Sequence, residues 1–314
     1  MTRILYTAKT ICLIMSFMLV SAMGFSANDV DLKFNLKKGD VTKYRATIEQ
    51  TTTQQMGGME QTVNQNQIFE YTIDVKDVNA SGNFVTQITY TRVAINMAAG
   101  GMNIAFDSAE EDLAPANPQL MGFAALVGQS VNVTFSPKGE IVEVSGVEAM
   151  IESMISELAG DNEAMKGQMR QSLLQSFNDE QMKQMFGGSF IKYPEKVIKV
   201  GSKWTENQAV VTQFPLNVIN NYVVNAITAD KVDLEVTSTI VTEPGNKSNM
   251  QGIEATFNLF GTQSGTISIE RSTGKIISST VNQNISGNLS ADMGGQNMDV
   301  PMTIASKVIT EVIK

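Results

Sequence analysis

The residue types that most often do chemistry are scarce in this chain, and their spacing limits what can be built from them. No histidine occurs in 314 residues, which removes the usual general base at neutral pH, the Ser-His-Asp and Cys-His arrangements and the commonest zinc ligand. The single cysteine, Cys12, lies in an apolar N-terminal run. One nucleophile signature remains, Ser189-Phe190-Ile191-Lys192, an S-x-x-K spacing in which lysine could activate serine. That motif needs its serine at a helix N-terminus. Here Ser189 follows Gly187-Gly188 and runs into Tyr193-Pro194, a loop-to-strand setting with no S-D-N or K-T-G companion.

Carboxylates and thioethers are the other candidates. Asp107, Glu110, Glu111 and Asp112 cluster in "FDSAEEDLAPANP", where paired acids could support glycoside hydrolysis or hard oxygens could hold calcium. The stretch contains prolines and lacks the EF-hand spacing and its glycine, so it reads as a solvated surface loop. The 19 methionines raise Cu(I) handling, but those of the middle of the chain fall at helical spacing, where methionine most often fills gaps in a core. No catalytic residue, metal ligand or cofactor site is assigned from these patterns.

What must position any functional residue is set by the ends and the periodicity. Arg3 and Lys9, an apolar run over Ile11 to Val20 and small residues up to Ser26 or Ala27 form a signal-peptide layout over 1–26. The run is too short to span a bilayer, which takes about 20 residues. Removal of the segment would take away Cys12 and two cations, moving the formal charge from −9 to −11. That acidity argues against nucleic acid or an anionic membrane surface as the main partner.

Past residue 30, apolar and polar residues alternate over long runs rich in Val, Ile, Thr, Tyr and Phe, such as "NFVTQITYTRVAI" and "DLEVTSTIV". This is the pattern of half-buried antiparallel strands. From Val147 to Phe186 the period becomes helical, predicting two or three short helices with breaks at Gly160-Asp161 and Phe177-Asn178. Ser145 with Glu148 fits a capping box, and Asn178 a further helix start. The chain thus divides into an N-terminal β region (27–146), a helical insert (147–190) and a C-terminal β region (191–314).

The two β regions echo one another. "LKKGDVTKY" opens the first and "KVGSKW", with the only tryptophan, opens the second; "SPKGEI" and "STGKI" each set a glycine between two β runs. A duplicated unit explains the echo, and so does the general likeness of meanders. No lysine of "KVGSKW" has an acid-base partner in sequence, so the economical reading of Gly39 and Gly201 is a turn into a strand whose inner face Tyr44 or Trp204 anchors.

Together "LKKGDVTKY", "FDS" (Phe106 to Ser108), "SPKGEIVEVSG", "YPEKVIKVGSKW" and "STGKI" resemble a family of exported bacterial proteins, mostly from Bacteroidota, known only as a domain of unknown function. The resemblance implies a β-rich envelope or secreted protein, often lipid-anchored, and supplies no catalytic residues. This chain departs by lacking a cysteine at the cleavage point.

The expected fold is mainly β: antiparallel curved sheets in two similar halves with a short helical insert between them. The expected role is a non-enzymatic exported cell-envelope protein, in the periplasm or outside. Helices over a concave sheet would either cap the core or enclose an apolar pocket for a hydrophobic ligand, lined by Met150, Met154, Ile155, Met165, Met169, Leu173 and Trp204. An interaction subunit holding an envelope protein partner but no small ligand is the alternative, and an atypical carboxylate-dependent hydrolase the third reading.

Overall fold

Every second residue of β9 (Lys231–Thr242) is buried: Val232, Leu234, Val236, Ser238, Ile240 and Thr242 face inward, and those between them face outward. This is the burial that an alternating sequence dictates for a strand with one packed face. It recurs along much of Pro215–Ile227, Ile253–Glu270 and Asn297–Ile313 in a computed structural model that describes residues 29–56, 58–110, 118–176, 179–187, 190–211, 215–242, 247–250, 253–292 and 297–314. The expected signal peptide, Ser189, Glu111, Asp112 and the break at Phe177-Asn178 lie outside the described residues.

The N-terminal strands are β1 (Val41–Met56), β2 (Met59–Val78), β3 (Phe84–Ala99), β4 (Met102–Asp107), β5 (Ser130–Phe135) and β6 (Ile141–Ser145). The C-terminal set is β7 (Lys203–Val211), β8 (Pro215–Ile227), β9, β10 (Lys247–Met250), β11 (Ile253–Glu270), β12 (Ile276–Asp292) and β13 (Asn297–Ile313). They form one antiparallel sheet of thirteen strands in the order β6-β5-β3-β2-β1-β13-β12-β11-β9-β8-β7, with β4 on β3 and β10 on β11. The expected sheets are therefore a single sheet. Its halves are joined by the first and last strands, β1 and β13, and it is left open between β6 and β7.

That opening is where the helices sit. The described helices are α1 (Pro118–Ala124), missed in the sequence, then α2 (Val147–Ala159), α3 (Glu163–Ser176) and α4 (Asp179–Gly187) of the expected insert. Helix α4 touches both free edges, β6 and β7, covering strand edges that would otherwise present unpaired backbone. The break at Gly160 is as expected, its N–H donating to Ser156 O at 3.2 Å. The capping box is not: Gly146 is the N-cap of α2, and the Val147 N–H is taken at 3.3 Å by the Asp179 carboxylate from the start of α4. A residue distant in sequence thus does what Ser145 was expected to do.

The two echoing segments build the same turn. Gly39 N–H donates to Val75 O and Gly201 N–H to Val224 O, each at 2.8 Å; Val75 N–H and Val224 N–H return bonds to Asp40 O and Ser202 O, each at 2.9 Å. Asp40 Oδ2 accepts the Lys37 N–H at 2.8 Å, as Ser202 Oγ accepts that of Lys199 at 2.9 Å. Tyr44 then faces Tyr71, and Trp204 faces Tyr222, directly across the next hairpin.

The segments before these turns act as two straps, 29–36 and 190–198. They pair with each other through Val30 and Ile198, N–H to O at 2.8 Å in both directions. Each crosses the hairpin turn of one half: a Cβ on Gly139 would lie 2.2 Å from Ile191 O, and one on Gly274 2.2 Å from Lys33 O. Only glycine allows that approach. Beneath the straps lies the main core, where Leu32, Phe135, Val147, Ile155, Leu234 and Ile269 are almost fully buried, each worth roughly 1.5–3 kcal/mol.

Candidate ligand-binding cavity

Register brings three tyrosines into a row on the inner face. Tyr44 of β1 is paired with Tyr71 of β2, and Tyr71 with Tyr90 of β3; ring centroids are 5.6 Å apart and stacked for the first pair, and 6.3 Å apart for the second. Simple alternation would put Tyr90 and Arg92 on one face. A bulge removes the conflict, because Tyr71 pairs with Tyr90 while Glu70 pairs with Arg92, leaving Thr91 as the extra residue.

On the opposite face the same bulge assembles a charged network. Glu70 Oε1 receives Arg45 Nη2 at 2.8 Å and Arg92 Nη1 at 3.2 Å, and Arg92 also holds both oxygens of Asp107, at 2.6 and 3.0 Å. Asp107, expected in a solvated loop, closes β4 and is held below the usual carboxylate range first by its hydrogen bonds from Arg92. Burial alone would raise Glu70, but its two arginine hydrogen bonds outweigh that and lower it. These charges fasten β1 to β4 behind the tyrosines.

In front of them is a cavity of about 530 Å³, within the range of small-molecule sites. Tyr44, Ala46, Ile48, Phe69, Tyr71, Ile73 and Tyr90 make its floor. Phe34 and Leu36 of the first strap, Phe190 and Ile191 of the second, Phe135 of β5 and Phe186 of α4 make its roof, and β12 and β13 add Ile276, Ser279, Val308 and Thr310. Polar groups are few: Asp40, Thr42 and Lys275 lie at one end, and Thr310, paired with Ala46, and Ser279 lie further along the wall. Lys275 Nζ reaches Thr42 Oγ1 at 3.3 Å and Glu270 Oε2 only at 3.9 Å.

At the other end the inward positions turn polar. Ile48, Phe69 and Val308 are followed along their strands by Gln50, Gln67 and Ser306, and the polar layer continues across the C-terminal half. Ser306 Oγ donates to Gln283, Gln263 Nε2 to Ser238 Oγ, Ser238 Oγ to Asn220, and Asn220 Nδ2 to Gln208. Gln208 Nε2 ends the chain on Phe190 O at 3.3 Å. A belt of amides and hydroxyls therefore separates the cavity from a second apolar cluster around Ile240, Phe257, Leu259 and Ile285.

Of the residues expected to line a pocket, those with described side chains lie elsewhere. Met150 and Ile155 are buried within the main core, Met154 and Met169 pack on its margin, and Met165 is 42% exposed; the side chain of Leu173 lies outside the described residues. Trp204 stacks on Tyr222 with centroids 4.8 Å apart and donates Nε1–H to Lys192 O at 3.2 Å. None of those with described side chains lines this cavity, because α2 packs beside α3 and β5, and it is α4 that contributes Phe186. The floor residues that sequence reasoning missed share one signal, inward alternation on three strands that become neighbours.

Among solved structures, one described as lipid–protein interactions in lipovitellin is similar with a TM-score of 0.50 and 11% identity, over 89% of this chain and 26% of that one. This chain thus spans about a quarter of that protein's length, and the likeness concerns the fold alone. The translocator domain of the autotransporter NalP from Neisseria meningitidis follows at a TM-score of 0.23 and 7% identity, over 88% and 89% of the two chains, and carries no argument. No curated protein matches by sequence. Residues 81–276, more than half of the chain, match the model of DUF6263, and the chain belongs to that family of unknown function.

Proposed function

We propose that this protein is a non-enzymatic, exported cell-envelope binding module that holds a hydrophobic ligand between the tyrosine row and the two straps. The observation that carries the reading is the cavity itself: a space of about 530 Å³ lined mostly by apolar and aromatic side chains. Packed interiors keep few voids larger than a water molecule, so a space of this size favours an occupant. The fold likeness to lipovitellin, whose structure is described by its lipid–protein interactions, supports the same class of ligand, and the signal-peptide layout of residues 1–26 supports export.

The test is native mass spectrometry of protein recovered from its own envelope, with uptake of a neutral hydrophobic dye by the recombinant chain. A bound mass released by organic solvent, together with saturable dye uptake, is expected. Apo protein that also excludes the dye would sink the reading.

A further inference from the structure

The polar groups of the cavity are unequal in their commitments. Tyr193 and Tyr222, buried in the core, each donate their hydroxyl, to Gly274 O at 2.6 Å and to Glu206 Oε2 at 3.3 Å. Among the described residues no hydrogen bond reaches the hydroxyls of Tyr44, Tyr71 or Tyr90, although Tyr44 is only 7% exposed. None of the three hydroxyl oxygens is fully buried, so each opens onto the cavity rather than onto packed core. Lys275 shows the same deficit: its ammonium has three donors but one hydrogen bond, to Thr42, with Glu270 at 3.9 Å. Lys138, in the matching hairpin turn, uses its ammonium fully, on Asp31 Oδ1 at 2.7 Å, Pro194 O at 2.9 Å and Leu32 O at 3.1 Å.

The unused groups are therefore donors, and they face an apolar space. Two carboxylates lie near that end: Asp40 is held by its own turn through the Lys37 N–H, and Glu270, which accepts the Thr273 hydroxyl, pairs with Lys275 only at 3.9 Å, beyond hydrogen-bond distance. From Thr42 to Ile48 the floor runs six residues along β1, roughly 20 Å at about 3.3 Å per residue. Resting on the binding reading above, we infer that the ligand is a single-chain amphiphile with a carboxylate head, its head at Lys275 and Thr42 and its chain along β1 past Tyr44 and Ala46 to Ile48. A cation at the edge of a low-dielectric cavity attracts an anion more strongly than in water, and a charge-assisted hydrogen bond is about twice as strong as a neutral one. Burial pushes the Tyr71 phenol up to about 12, so its hydroxyl stays a donor at neutral pH.

The experiment displaces a neutral dye, N-phenylnaphthylamine, from the full chain with hexadecanoic acid, hexadecanol or hexadecylammonium. The acid is expected to compete about tenfold better than the alcohol, with the ammonium weakest. Lys275→Met should remove the acid's advantage over the alcohol, and Lys275→Arg should restore it; dye uptake in each variant shows that the cavity still forms. Equal competition by acid and alcohol, or preference for the ammonium, overturns the headgroup assignment while the binding reading stands. Failure of every amphiphile and of the dye overturns both.

Discussion

Tyr222 donates its hydroxyl to Glu206 Oε2 at 3.3 Å, while the other oxygen of that carboxylate, Oε1, is buried without a partner among the described residues. Glu206 is 6% exposed and faces Tyr222 on β8, Gln208 on its own strand and the Lys192 N–H of the second strap. Burial raises its pKa above the ordinary value, so the folded state keeps a proton that the unfolded chain has released. Stability from this group is then present at low pH and falls as pH rises from the ordinary carboxylate value through the raised one. Glu206→Gln should match the parent near about pH 4 and exceed it by about 1–3 kcal/mol near about pH 8. Thermal unfolding of the two proteins across that range checks this, and a difference independent of pH would contradict it.

The hairpin glycines give a second expectation. Gly139 and Gly274 combine left-handed backbone, φ 87° and 72°, with a strap carbonyl 2.2 Å from where a Cβ would sit. Gly139→Ala and Gly274→Ala should each cost about 3 kcal/mol or more. Gly82→Ala, at φ 79° with open space around it, should cost about 1 kcal/mol. Urea unfolding of the three variants separates the clash from the backbone penalty.

Lys138 is the tie that fastens both straps to one turn, and its hydrogen bond holds the Asp31 carboxyl below the usual range. Lys138→Met leaves two strap carbonyls without this donor and should lower stability by about 1–3 kcal/mol. Asp31→Asn should cost less than about 1 kcal/mol, because Asp31 is largely solvated. Chemical denaturation tests the order, which a purely ionic role for Lys138 would reverse.

Ala46 lies between Tyr44 and Ile48 on the cavity floor. Ala46→Phe fills space that is empty of protein, so it should abolish dye uptake while changing stability by less than about 1.5 kcal/mol. Fluorescence titration beside a melting curve is the check. Unchanged uptake would place the dye elsewhere.

Much of this architecture is legible in the chain because it is local. Period-two alternation marks β9 and the strands like it, and turn glycines mark the hairpins at Gly139 and Gly274. The change to helical spacing places α2 to α4 within the expected insert. The echo between "LKKGDVTKY" and "KVGSKW" is met by identical backbone bonds, since a short turn carries its own hydrogen bonds. The site was not legible in the same way. Met150 and Ile155 have the apolar helical spacing of a pocket wall and serve as core, whereas Tyr44, Tyr71 and Tyr90 look like unrelated strand residues until β1, β2 and β3 are laid side by side.

By itself, then, the sequence determines strand content, the position of the helical insert, the acidity, and the absence of histidine, because these depend on composition and on neighbours a few residues apart. Only the tertiary structure decides that β1 pairs with β13, that Thr91 bulges so Tyr90 turns inward, that the straps cross at Val30 and Ile198, and that Lys275 meets Thr42 at the end of an apolar space. Those pairings join residues tens to hundreds of positions apart, and their register rests on which packed faces fit together, which no local pattern records.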